Sequence, residues 1–223
     1  MKKLTLILLA LAGLVSFNSC KDEDPEQTPT TPTTNIFTEL KGYTGKALQN
    51  VSSTIQSKGY TQLGIDSLES IKIYYFINST NSYRYTIAES NDTVFMATYE
   101  YLNNDKSKLL TNFEKNSQTA LSFVGNNPLL YYSSDIAIMN SEEGNMEFNN
   151  RADYLTAYNQ NKDSINYCSE SWVSQTAIVG TEFNYDEFDG HYSLAGYGDM
   201  LRMPIMIEKA GNKSIFDLLK YKK

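Results

Sequence analysis

The sequence is poor in the residues that most metal sites and disulfide frameworks need. Its 223 residues include one histidine, one tryptophan and two cysteines. A single histidine excludes a metal site built from several imidazoles, and two cysteines cannot form the multiple bridges of a disulfide-dense small domain. The chain is 41% apolar and 20% charged, close to ordinary globular proteins, so we predict a folded domain with a substantial core.

Net positive charge is also missing. The chain carries 19 Lys and Arg against 26 Asp and Glu, a formal charge of −7. Nucleic-acid binding usually needs a basic face, so we expect no nucleic-acid partner. The nucleophile elbow Gly-x-Ser-x-Gly, the zinc motif His-Glu-x-x-His and the phosphate-binding glycine patterns do not occur in the sequence. We therefore assign no catalytic residue, no cofactor and no metal ligand from motifs.

The first twenty residues carry a clear targeting pattern. Lys2 and Lys3 precede an apolar run from Leu4 to Val15, which is too short for a membrane span of about 20 residues and is typical of a secretory signal. The small residues Ser16 and Ser19 then precede Cys20, with Phe17 and Asn18 between them. This pattern resembles that of Bacteroidetes surface lipoproteins. The resemblance implies a signal peptide over 1–19, lipidation of Cys20 and an outer-membrane anchor; an ordinary secreted protein cleaved elsewhere is the alternative.

A charged run and a tether follow Cys20. Lys21–Asp24 resembles the surface-export signal of the same lipoproteins, which implies display towards the medium; a solvated charge run is the alternative. The Pro/Thr-rich stretch 25–34 contains no apolar residue, so we predict an extended tether over 20–34, of which residues 21–34 reach at most about 43 Å from the membrane. Cleavage before Cys20 would change the formal charge from −7 to −9, so lipid and tether would supply the anchoring.

Residues 35–223 are predicted to form a single globular domain. Helical periodicity predicts one helix from Asn35 to about Lys58 and another from Asp105 to about Val124. Strict alternation predicts a three-stranded antiparallel meander over 71–78, 83–89 and 93–101. Further helices are predicted over 150–171 and after 212, and further strands over 129–132, 136–139, 176–183, 192–195 and 200–208. The expected class is α+β, with an antiparallel or mixed sheet, three to four helices and no repeat at a fixed period.

Tyrosine is unusually abundant, with 17 residues. Tyrosine joins an apolar ring to a polar tip and therefore suits wet binding surfaces, although strands and cores also use it. The segment from Tyr185 to Tyr197 combines tyrosines, acids, glycines and the single histidine, so we predict a ligand-facing loop there. The candidate ligand-binding residues are Tyr185, Asp186, Asp189, His191, Tyr192 and Tyr197.

This segment has several interpretations. A binding loop should leave at least two of Tyr185, Tyr192 and Tyr197 accessible, whereas a structural strand would bury them. Asp186 and Asp189 could belong to a calcium loop, with an ordinary solvated acidic turn as the alternative. His191 could transfer protons beside these acids, with a turn residue as the alternative.

Three tripeptides of the form Asp, hydroxyl residue, aliphatic residue are similar to the O-glycosylation signal of exported Bacteroidetes proteins. Their acceptors would be Ser67, Thr93 and Ser164, and each would have to be exposed. Cys168 is expected to be a small core residue.

The sequence leaves three classes of function open. The first is a non-enzymatic, surface-anchored lipoprotein that binds a ligand or glycan or serves as an accessory module. The second is a secreted carboxylate-dependent hydrolase, and the third is a structural or protective envelope protein. An exposed row of tyrosine rings would favour glycan binding, two close carboxylates in a cleft would favour the hydrolase, and a flat apolar patch would favour a protein partner.

Overall fold

The computed structural model describes residues 35–68, 70–125, 129–138, 145–186 and 190–203. They form the predicted α+β fold, with four helices and a nine-stranded antiparallel sheet among the described residues. The helices are α1 (Ile36–Tyr43), α2 (Leu48–Ser57), α3 (Lys106–Val124) and α4 (Arg151–Asn161). The strands are β1 (Tyr60–Leu68), β2 (Ile71–Asn78), β3 (Tyr83–Ser90), β4 (Thr93–Leu102), β5 (Leu129–Ile138), β6 (Met146–Phe148), β7 (Ile165–Ser174), β8 (Ala177–Asp186) and β9 (Gly190–Asp199).

The sheet joins two halves of similar topology. Its order is β1-β2-β3-β4-β9-β8-β7-β5-β6. In the first half α1 and α2 precede the meander β1–β4; in the second half α3 precedes β5, β7, β8 and β9, with β6 and α4 inserted after β5. The last strand of each half lies at the centre, where β4 pairs with β9 and Tyr99 stands opposite Ala195. The halves share a topology without sharing a sequence repeat at a fixed period.

All four helices pack on one face of the sheet. α1 lies across β4 and β9, and α3 lies across β8 and β9. Two apolar clusters fill this helix-bearing face, one around Phe37 and Trp172 and the other around Phe113 and Phe183. A third cluster, which includes Ile73 and Leu194, lies on the opposite face. Both faces of the central strands are therefore buried.

The predicted first helix is interrupted. Asn35 caps α1 as expected, with its Oδ1 accepting from the Phe37 N–H at 2.9 Å. The chain then turns at Gly45, whose φ of 77° is in the left-handed region that favours glycine. The Gly45 N–H donates to the Val94 carbonyl at 2.8 Å, and the Val94 N–H donates to the Lys46 carbonyl at 3.0 Å. Because these backbone groups pair with β4, the helix cannot continue through them.

The predicted meander is confirmed as β2-β3-β4, and β1 extends it. The predicted helix over 150–171 is wrong beyond Asn161, because 165–174 forms β7 between β5 and β8. The two strands expected over 129–139 are the single strand β5. Of the strand expected over 200–208, residues 200–202 form a turn instead, and residues 204–208 lie outside the described residues. The expected terminal helix lies outside the described residues.

Candidate functional site

The predicted ligand loop is a β-hairpin made by β8 and β9. Tyr192 and Tyr197 are only 8% and 5% exposed, so the expectation that at least two of its three tyrosines are accessible is wrong. The reason is strand alternation within a sheet covered on both sides. Tyr192 packs with the cluster on the opposite face, and Tyr197 packs edge-on against Phe123 on the helix-bearing face. Both rings are core residues.

Tyr185 and His191 do come together at the end of this hairpin. They face each other across β8 and β9, and their rings stack with centroids 4.2 Å apart and an interplanar angle of 14°. The Tyr185 hydroxyl donates to the Asn104 carbonyl at 3.0 Å, and both rings remain partly exposed. Asp189 and the side chain of Asp186 lie outside the described residues. Among the residues that are described, no group of three His, Cys, Asp or Glu side chains could hold a metal ion.

A second aromatic group lies on the helix-bearing face of β3 and β4. Tyr83 stands opposite Tyr101 in the β3–β4 register. The Tyr83 ring stacks on Tyr101 with centroids 5.2 Å apart and on Tyr99 with centroids 5.6 Å apart. Tyr60 reaches the same group from β1, and its hydroxyl lies 3.4 Å from that of Tyr99. We call these four partly exposed residues, Tyr60, Tyr83, Tyr99 and Tyr101, the tyrosine strip.

Glu39 of α1 fixes the inner end of the tyrosine strip. Its Oε1 accepts hydrogen bonds from the Tyr43 hydroxyl at 2.7 Å and from the hydroxyl of Tyr85. Lys58 forms an ion pair with the same oxygen at 2.7 Å. Burial alone would raise the pKa of Glu39, but these hydrogen bonds together hold it below its ordinary value. Tyr85 is thereby held beneath the strip, where its ring lies 4.8 Å from those of Tyr60 and Tyr99.

The strip presents neutral hydroxyl groups. Burial raises the pKa of Tyr83, and burial also raises that of Tyr99. Both phenols therefore stay protonated at neutral pH and can donate and accept hydrogen bonds. At the outer end, the Asn103 amide donates to the Tyr101 hydroxyl at 2.7 Å. The strip thus combines apolar rings with uncharged polar tips.

The opposite face carries two glutamates in one row. Glu100 of β4 and Glu182 of β8 stand on either side of Leu194 of β9. Glu100 accepts from Arg84 Nε at 2.9 Å, and Glu182 accepts from the Tyr192 hydroxyl. Glu100 and Glu182 are 4% and 0% exposed, so neither carboxylate is presented to a substrate at the surface. Their arrangement supports a packing role.

Another buried acid, Glu170, lies beneath α3 and α4. Glu170 of β7 is 1% exposed. Its Oε1 accepts from Arg151 Nε and from the Tyr132 hydroxyl, each at 2.9 Å, and its other oxygen accepts from Ser117. Arg151 also donates to the Ser117 hydroxyl at 3.0 Å. We call this group the Glu170 network; it ties α3 and α4 to the sheet.

Cys168 is a core residue, as expected. It is fully buried, and burial raises its pKa well above the ordinary value. It stands opposite Phe183 in the sheet, whereas His191 stands opposite Tyr185 near the hairpin end. This placement does not form a cysteine–histidine pair.

The three candidate modification sites differ in exposure. Ser67 is exposed on the edge strand β1, and Ser164 is exposed between α4 and β7. Thr93 is partly buried at the start of β4, where its backbone pairs with Ala47. Ser67 and Ser164 therefore meet the requirement for exposure better than Thr93 does.

Comparisons of the chain with protein-family models, with curated proteins and with solved structures each find no match. Within the part of the chain that the structure describes, none of the helices is long and apolar enough to cross a membrane.

The sequence did place Tyr99 and Tyr101 on one face of a strand, and Tyr83 on the neighbouring strand. Because these two strands were also predicted to pair, the sequence contained a signal from which the tyrosine strip could have been located.

Proposed function

We propose that the protein is a surface-exposed, outer-membrane lipoprotein whose folded domain binds an extracellular glycan through the tyrosine strip, without catalysis. The targeting pattern that ends at Cys20 supports the anchoring, and the acidic run after it supports the display. One observation carries the binding proposal: Tyr83 stacks on Tyr99 and Tyr101 while all three rings stay partly exposed.

The chemistry of the strip suits a carbohydrate. A sugar ring has C–H faces that pack on aromatic rings and hydroxyl groups that need hydrogen-bond partners. Tyrosine supplies both kinds of contact. Adjacent strands and mutual stacking already hold the rings in place, so binding has a small cost in side-chain entropy. Because the strip lies on a rigid sheet, it needs no loop to be ordered by the ligand.

A protein partner is the second candidate function, and one feature favours it. Leu129, Leu130 and Tyr131 open β5 and are 41%, 60% and 56% exposed. β6 pairs with β5 only at Ser134–Ile136, so it does not cover the first three residues of β5. Consecutive exposed apolar residues often mark interaction surfaces. An accessory role in a surface complex would use this edge.

Removing two rings of the strip is expected to weaken glycan binding. If each stacking contact contributes about 1 kcal/mol, as aromatic pairs do, the double variant Tyr83→Ala/Tyr101→Ala should bind about 30-fold more weakly. The measurement is affinity electrophoresis of the domain through gels that contain soluble neutral polysaccharides, with unfolding curves to confirm that the variant is folded.

Tyr131→Ala is the matched control, because it removes an exposed tyrosine from the far edge of the sheet. It should leave glycan binding unchanged. Unaltered retention of the folded double variant, or a wild-type domain that no polysaccharide in the panel retards, would contradict the binding proposal.

The acidic run after Cys20 gives a separate prediction. Replacing residues 21–24 by alanine should leave the protein attached to membranes but hide it from protease added to intact cells. The reason is that lipidation needs Cys20, whereas the proposed export signal is the charged run. Alanine replacement of residues 28–31 in the tether is the control and should preserve protease accessibility. Equal accessibility of the two variants would argue against an export signal at 21–24.

A further inference from the structure

We infer that the tyrosine strip selects uncharged glycans and discriminates against glycans that carry carboxylate or sulfate groups. This inference rests on the proposed function and specifies the ligand class of the same site. It is argued from the charged side chains around the strip, because the aromatic contacts alone do not distinguish neutral from charged glycans.

Within the described part of the chain, Lys58 and Arg84 are cations close to the strip, and both are already engaged. Lys58 pairs with Glu39 at 2.7 Å and donates to the Tyr43 hydroxyl at 3.1 Å. Arg84 follows Tyr83 in sequence, but its guanidinium donates to Glu100, which belongs to the polar row of the opposite face. An anionic sugar at the strip would have to compete with Glu39 for Lys58, and Arg84 is directed to the other face of the sheet.

The outer end of the strip is linked to the start of α3, where Asp105 lies. The Asn103 amide donates to the Tyr101 hydroxyl at 2.7 Å, and the Asn103 side-chain oxygen accepts from the Asp105 N–H at 2.8 Å. The backbone N–H of Asp105 is therefore connected to the Tyr101 hydroxyl through the Asn103 side chain. Its own side chain is 48% exposed and caps α3 by accepting from the Ser107 N–H at 3.0 Å.

The lysines that follow Asp105 are also engaged. Lys106 donates to the Asp163 carbonyl at 2.7 Å, and Lys108 lies 3.9 Å from the Asp105 carboxylate. The whole chain has a formal charge of −7, which adds long-range repulsion of anions. Neutral hydroxyls and an amide are thus the groups that the strip offers, and these suit sugar hydroxyl groups.

The test compares polysaccharides that share a backbone and differ only in charge. Suitable pairs are methyl-esterified and de-esterified polygalacturonan, and dextran and dextran sulfate. In affinity electrophoresis at low salt, the wild-type domain should bind the neutral member about tenfold more tightly in each pair that it recognises. Added salt should narrow this difference by weakening repulsion, and it should leave neutral binding unchanged.

The variant Asp105→Asn tests the local charge. Asparagine caps helices about as well as aspartate, so α3 should remain stable. The variant should gain several-fold in binding to the anionic member at low salt and keep its binding to the neutral member. Asp153→Asn is the matched control, because it removes the same charge from the first turn of α4.

The outcomes separate the two proposals. Equal or tighter binding of the anionic member, with weaker binding after Tyr83→Ala/Tyr101→Ala, would overturn the charge selection and retain the glycan site. The same gain from Asp153→Asn as from Asp105→Asn would overturn the role of the charge beside the strip. If neither polysaccharide of any pair retards the wild-type domain, both the charge selection and the proposed function would be overturned.

Discussion

Replacing Arg151 by methionine should destabilise the domain by about 3–5 kcal/mol, because it leaves the Glu170 carboxylate buried without its cation. Glu170 is 1% exposed, and the Arg151 side chain is 21% exposed. The Tyr132 and Ser117 hydroxyls would still donate to Glu170, but neither can neutralise its charge. Methionine keeps most of the apolar stem, so the loss reports mainly the charge. The measurement is the free energy of unfolding in urea at neutral pH.

An ion pair at the C-terminal end of α4 provides the control. Lys162 pairs with Glu114, and their side chains are 43% and 40% exposed. Exposed pairs contribute about 0–1 kcal/mol, so Lys162→Met should change stability little. The double variant Arg151→Met/Glu170→Gln should regain part of the lost stability, because glutamine removes the buried charge and retains an acceptor for Tyr132. Similar losses of stability in Arg151→Met and Lys162→Met would show that the burial of Glu170 does not determine the size of the destabilisation.

Replacing Cys20 by alanine should release nearly all of the protein from membranes. Under the proposed lipoprotein assignment, Cys20 is the only attachment point for lipid, and each buried CH₂ of an acyl chain contributes about 0.8 kcal/mol to anchoring. The mature formal charge of −9 gives no attraction to anionic lipids that could replace this contribution. The measurement is the share of protein in the membrane fraction after a salt wash.

The matched control for this experiment is Cys168→Ala. Cys168 is fully buried in the core, so its removal should leave localisation unchanged while lowering stability modestly. Circular dichroism of the Cys20→Ala protein should show the same folded domain as the wild type. Attachment of Cys20→Ala to membranes after the salt wash would refute the lipoprotein assignment.

The sequence predicted elements whose pattern is set by their immediate neighbours. The meander was predictable because residue types alternate along β2, β3 and β4 and short polar turns separate these strands, even though the structure buries both faces of β3 and β4. Both ends of α3 were predictable, since Asp105 supplies a side-chain cap and Gly125 adopts a positive φ of 55°. In these segments local chemistry and tertiary packing favour the same structure.

Other elements depended on distant contacts. β7 resembled a helix because it is buried on both faces, and its apolar residues Ile165, Cys168 and Trp172 fall at helical spacings. β1 was missed because it is an edge strand, with Leu63 exposed at the irregularity between Gln62 and Gly64.

The candidate site was harder to locate than the fold. The segment from Tyr185 to Tyr197 contains residue types that are common in binding loops, yet Tyr192 and Tyr197 belong to a central strand. The tyrosine strip depends on the register of β3 against β4, which places Tyr83 opposite Tyr101. Composition could show that tyrosine is abundant, but it could not show which rings remain exposed.

The central β4–β9 pair also has a consequence for the order in which the chain folds. Each half of the sheet is built largely from neighbours in sequence, whereas β4 and β9 come together across roughly 100 residues. Closing such a long loop is slow, so the meander β1–β4 should form before β4 pairs with β9 of the second half. During this interval β4 is an unpaired edge that carries apolar side chains, and neighbouring molecules could pair with it. A factor that shields this edge until β9 arrives should raise the yield of folded protein without changing its final stability.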